Sequence, residues 1–187
     1  MIPQQWQRFM LLGVTALGGF VTVPTTLPAA AYEPLAPQQL AQMLESVFTS
    51  SAGRFAIAFP DDPIISSETD DIDGTPVEIY EFSSENIGSS YTVAYADLPE
   101  TFLSLGPEMV LDEVRDMLLE DMDLGDFSDL EMNTSMNGHP GRSYRYSNSD
   151  FTLDMRLYLV GERMYLVAGA DVEEAAVDQF MRSFELL

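Results

Sequence analysis

Two rhythms of apolar and polar positions run along the chain. Leu40, Met43, Leu44, Val47 and Phe48 fall at i, i+3, i+4, i+7 and i+8, which predicts an amphipathic helix over residues 35–48. In "RFAIAFP" the rhythm changes to two. Phe55, Ile57 and Phe59 alternate with Arg54, Ala56 and Ala58, as in a half-buried strand. Ile64 and Ile65 open a second short strand before the acidic run "SETDDIDGTP". Residues 77–82 and 91–98 are rich in aromatic and β-branched side chains and predict a hairpin across the polar connection "SSENIGSS".

The helical rhythm returns in "GPEMVLDEVRDMLLEDM". Pro107 suits the first turn, Glu108 suits the positive end of the dipole, and Val110, Val114, Met117 and Leu118 form the apolar stripe. Gly125 is the expected stop. Four strand-like runs follow at 130–136, 143–147, 152–160 and 163–168, separated by "NGHPG", "NSD" and "GE". Asp171 is placed to cap a last helix carrying Val172, Ala176, Val177, Phe180 and Phe184. Short turns make neighbouring strands antiparallel. The fold class is therefore α+β, a central antiparallel β-sheet flanked by helices, and a parallel nucleotide-binding fold is disfavoured.

The first 31 residues lie outside this scheme. An apolar run from Phe9 to Val23, closed by Pro24 and followed by Ala29 and Ala31, reads as a signal peptide cleaved before Tyr32. The run is shorter than the roughly 20 apolar residues of a membrane span, so no insertion is expected after cleavage. Three segments result: a signal peptide at 1–31, an N-terminal helix and linker at 32–52, and an α+β domain at 53–187. The expected destination is exported: periplasm, thylakoid lumen or extracellular space.

Charge removes several partners. The 187-residue chain has 31 carboxylates, eight arginines, no lysine and no cysteine, for a net charge of −23. Such a field repels nucleic-acid phosphates and anionic lipids, and favours cations or a basic protein surface. A monomer docking to a protein partner is the expected state. Thiol nucleophiles, thiolate metal sites, Schiff bases and the phosphate-loop lysine are excluded by composition. A single histidine, His139, cannot build a histidine-rich metal centre.

Hard cations are left. "ETDDIDGT" offers Asp70, Asp71 and Asp73 beside Glu68, and "EDMDLGDFSD" offers Asp121, Asp123 and Asp126 beside Glu120 and Asp129. Both carry the D-x-D element of calcium loops, and neither completes an EF-hand; the second puts its glycine a position early and has Met132 where a bidentate glutamate belongs. Calcium is the candidate cofactor, and solvated acidic loops are the plainer account of the same residues. Asp112, Asp116 and Glu120 line one helix face with only Arg115 nearby.

Five arginines crowd the last third. Arg142, Arg145, Arg156 and Arg163 form a candidate partner or anion face. Structural pairing is the competing account: a turn at "NSD" sets Arg145 opposite Asp154, and a turn at Gly161 and Glu162 sets Tyr158 opposite Tyr165. In "NGHPGRSYRY", Gly138, Pro140 and Gly141 read as turn residues with His139 at the bend. No G-x-S-x-G elbow accompanies a serine, and paired carboxylates occur too often here to single out a glycosidase. A non-catalytic binding protein is the leading expectation, and a secreted hydrolase using acidic residues the alternative.

"NGHPGRSYRY", "RLYLVGERMYLVAGA" and the closing "FMRSFEL", with "GRFAIAFPDDP" upstream, resemble the PsbP-like fold family across residues 53–187. The resemblance implies a central antiparallel sheet between helices. It also implies a mostly non-enzymatic, lumenal or periplasmic protein, some of whose relatives help retain calcium and chloride at photosystem II. The chain departs from the cyanobacterial photosystem subunit in having no lipidated cysteine. It also has no lysines for docking and a single histidine.

Overall fold

A computed structural model describes residues 47–72, 74–86, 88–122, 130–147 and 152–187. Its centre is a seven-stranded sheet of β3 (Ile64–Ile72), β4 (Thr75–Asn86), β5 (Ser89–Asp97), β6 (Leu130–Met136), β7 (His139–Ser147), β8 (Thr152–Val160) and β9 (Arg163–Ala170). The spatial order is β3-β4-β5-β9-β8-β7-β6, antiparallel at every step. Two meanders thus meet where β5 pairs with β9. The chain between them forms α1 (Glu100–Leu103) and α2 (Pro107–Met122). A second sheet of three strands holds β1 (Val47–Ser50), β2 (Phe55–Ala58) and β10 (Glu185–Leu186), with β2 in the middle. The last helix, α3 (Glu174–Arg182), precedes β10.

Strand alternation sends two kinds of side chain to opposite faces. From β5, Ala94 and Ala96 join Ile79, Leu153, Leu157 and Leu166 beneath Val110, Leu111, Val114 and Leu118 of α2. Tyr91, Val93 and Tyr95 join Tyr165, Val167 and Phe82 on the other side, against β2 and the Val177, Phe180 and Met181 stripe of α3. One face is therefore packed with aliphatic side chains under α2. The other is packed with aromatic rings under α3 and the small sheet. Phe55 is central there, 5.2 Å from the Phe82 ring, 5.6 Å from Phe184 and 6.4 Å from Tyr165.

Several local expectations change. Val47 and Phe48 are strand rather than helix: they pair with Ala58 and Ile57, and the Phe48 ring lies 5.4 Å from Phe82. A β-branched and an aromatic residue gain a ladder and an aromatic pocket there that a helix end could not supply. The rest of the expected 35–48 helix lies outside the described residues, and β1 brings residues ahead of Gly53 into the folded unit. β2 is buried on both sides instead of half-buried, because it is the middle strand between β1 and β10. The "SSENIGSS" connection is mostly ladder, since Asn86 pairs directly with Ser89.

The turn in "NGHPG" falls earlier than the glycine and proline content suggests. Asn137 and Gly138, at φ 51° and 84°, make a two-residue turn of the type that matches strand twist. His139, Pro140 and Gly141 already belong to β7. Gly141 is there for space: a Cβ would come 2.5 Å from the Leu157 carbonyl oxygen. Asp171 does not cap α3. Its carboxylate accepts from the Thr152 amide at 2.9 Å, closing the β8 end, while α3 begins without a side-chain cap. Phe184 lies past α3, and the closing "EL" pairs with β2 as β10.

Candidate functional site

The four arginines of the candidate face do not share one. Arg142 points to the α2 side and is buried. Its guanidinium donates to Glu108 at 2.5 Å and lies 3.7 Å from Asp112, both on α2. These two acids are on the helix, and Arg142 answers part of the like-charge row at Asp112. Burial alone would lower its pKa, yet the hydrogen bond to Glu108 and the charges of Glu108 and Asp112 together outweigh this and the value rises. Arg163 is also fully engaged. It forms a fork onto Asp97 at 2.6 and 2.7 Å, donates to the Ala52 carbonyl at 2.7 Å, and lies 4.5 Å over the Tyr95 ring. The Arg163 hydrogen bonds hold the Asp97 carboxyl below its usual range. Both arginines are structural ties between strand and neighbour.

Arg145 and Arg156 come together. The β7–β8 register puts Arg145 opposite Asp154 and Ser143 opposite Arg156, and continues the second row to Met132 on β6 and Val167 on β9. All of these lie on the α3 side. There α3 covers β8 and β9, and beyond its edge Arg145, Arg156, Ser143, Met132 and Asp154 line a 120 Å³ cavity with Val177, Asp178 and Met181 of the helix.

The two cations in this groove differ. Arg145 is held twice, by Asp154 at 2.7 Å and by Glu174 in the first turn of α3 at 2.9 Å. Those two hydrogen bonds, with Asp154 first, raise its pKa. Arg156 is half-buried and, among the described residues, makes no salt bridge and no side-chain hydrogen bond. Every other arginine in the last third has a carboxylate within 4 Å. The Ser143 hydroxyl, across the ladder from Arg156, is likewise not engaged by another group among the described residues. Of the two acids lining the cavity, Asp154 belongs to Arg145 and Asp178 to Arg182 at 3.3 Å. A half-buried guanidinium with free donors and a free hydroxyl beside it can receive a planar anion.

Of the acidic candidates, Asp70 and Asp71 are described with their side chains. Asp70 and Asp71 are consecutive residues of β3, so their side chains point to opposite faces. The Asp70 carboxylate accepts from the Asp71 amide at 2.7 Å, and the Asp71 carboxylate closes the hairpin by accepting from Gly74 at 2.7 Å. The segment expected as a calcium loop is thus mostly strand. Asp121 belongs to the last turn of α2, while Asp73, Asp123 and Asp126 lie outside the described residues. Among the described residues no group of three or more metal-binding side chains converges. His139 pairs with Met136 at the start of β7 and makes no side-chain hydrogen bond or ion pair among the described residues.

One group escaped the sequence reading. Glu81 follows Val77 and Ile79 on the inward parity of β4 and is only 8% exposed. Burial pushes its carboxyl up to about 7, with a hydrogen bond from Ser83 opposing and the charge of Glu68 adding. Its signal was present, a glutamate at the third position of an apolar alternation. A scan against protein-family models finds no match for the chain, and a search of curated proteins finds none.

Proposed function

We propose that the chain is an exported, non-catalytic accessory protein that binds another molecule through the groove between α3 and strands β6–β8. The observation that carries this reading is Arg156: a half-buried arginine without a carboxylate partner, in a chain where carboxylates outnumber basic residues by 31 to 8. In such a chain a cation that makes no ion pair is held apart by the fold, and Arg156 lines a cavity whose two aspartates are engaged by other arginines. The PsbP-like arrangement of helices on both sides of the sheet belongs to the same proposal. It is supported by α2 residues in one core and α3 residues in the other. Calcium or another hard cation acts in this reading as counter-ion to the acidic surface, because Asp70 and Asp71 lie back to back on a strand. The protein works as a monomer, with export supplied by the leader.

The test is thermal melting of the full chain and of Arg156→Gln against a panel of small anions, amines and calcium. Anions should raise the melting temperature of the parent and lose that effect in the variant, while calcium should act equally on both without saturating. A saturating micromolar calcium response, or anion stabilisation untouched by the substitution, would refute the groove as the site.

One observation favours a second reading, the hydrolase. Glu81 retains its proton close to neutral pH, the property a general acid requires. Hydrolysis of activated glycosides by the full chain, abolished in Glu81→Gln, would establish it.

A further inference from the structure

We infer that the groove selects a small aliphatic monocarboxylate; this rests on the groove being the binding site and adds the class of ligand. Three features of its lining specify the class. Arg156 supplies a fork of donors matched to a carboxylate, and Ser143, its cross-strand neighbour, supplies a hydroxyl donor beside it. Asp154 and Asp178 stand on the same wall, so the cavity is neutral by count, two arginines against two aspartates. A second negative charge on the ligand would face those aspartates with no free cation to meet it, which disfavours phosphate and dicarboxylates. The remaining walls are Val177, Met181, Met155 and Met132, which suit a short branched hydrocarbon body, and methionines adapt to irregular shapes. At 120 Å³ the cavity suits a body of a few carbons rather than a sugar or a nucleotide.

The experiment is calorimetric titration of the full chain with isovalerate, isovaleramide, methylsuccinate and inorganic phosphate at near-physiological salt. Isovalerate should bind at one site with a dissociation constant of about 1 mM or tighter. The neutral amide and the two multiply charged anions should bind at least about tenfold more weakly. Arg156→Gln should lose at least about tenfold in isovalerate affinity, Arg156→Lys should lose less, and Ser143→Ala should lose a few-fold. All three variants should melt within a few degrees of the parent, which separates loss of the site from loss of the fold. Acetyl-Gly-Leu distinguishes the two sources of the group: tighter binding than isovalerate assigns a peptide C-terminus, weaker binding a free acid. If amide and acid bind alike and both need Arg156, the carboxylate assignment fails while the groove survives as a binding site. If isovalerate binding is unchanged in Arg156→Gln, both fail. No heat with isovalerate at tens of millimolar also overturns the assignment.

Discussion

The two faces of the central sheet treat charge in opposite ways. On the α2 side, Arg142 is sealed under the helix and matched to Glu108 and Asp112, and Glu81 is buried until its carboxyl holds a proton near neutrality. On the α3 side, Arg145 is matched twice and Arg156 not at all, at the edge of an aromatic core. Both faces have an apolar centre, and on the α2 side it encloses a small apolar cavity between Ile72, Ile79, Ala94, Val114 and Leu118. Among the described residues, the α3 side carries a polar cavity between the helix and strands β6–β8, with the unpaired Arg156 in its lining. The contrast is between an apolar cavity under α2 and a polar cavity with an unpaired arginine beside α3.

The largest test of this contrast is in the cores. Phe55→Ala removes a ring that meets Phe82, Tyr165 and Phe184, and should cost about 4 kcal/mol; Leu111→Ala under α2 should cost about 3. Urea unfolding compares them, and a larger loss for Leu111→Ala would shift the main stabilising centre to the α2 side. Next comes the proton on Glu81. Its carboxyl titrates at 4.5 when unfolded and at about 7 when folded. Between those values the folded state holds the extra proton, so this group's stabilisation is full below pH 4.5 and is lost as pH rises through 7. Glu81→Gln should therefore raise stability at pH 8 by about 3 kcal/mol and change little at pH 4. Equal effects at both pH values would mean that the carboxyl is solvated.

The arginines give the smaller and more discriminating effects. Arg142→Gln leaves Glu108 and Asp112 partly solvated, so the loss should be about 1 kcal/mol in urea melts. Arg156→Gln breaks no bond and should stay within about 0.5 kcal/mol of the parent. Equal losses at the two positions would erase the distinction between a structural and a free arginine.

Much of the fold was readable in the sequence. The strand-like runs located β4, β5, β6, β8 and β9 and parts of β3 and β7, and the 3.6-residue stripe located α2 at Pro107–Met122. The turn at Gly161 and Glu162 set Tyr158 against Tyr165, and Arg145 falls opposite Asp154 as the spacing required. What failed were the ends. Val47 and Phe48 kept helical spacing but became strand once Phe55 and Phe82 offered a ring pocket, a contact made across the fold. "TDDI" looked like loop by composition and became ladder because β4 lay beside it. The candidate site was half legible. Composition and spacing located the arginines, but which of them would be matched depended on α2 and α3, whose placement over the two faces local patterning does not encode.

The most direct measurement of the central claim uses the arginine side chains themselves. In ¹⁵N spectra of the full chain, each Nε–H gives its own resonance during an isovalerate titration. Arg156 should shift progressively and saturate, Arg145 should follow weakly as its neighbour in the groove, and Arg142 and Arg163 should stay fixed in their salt bridges. A stationary Arg156, or equal shifts across all the arginines, would contradict the account.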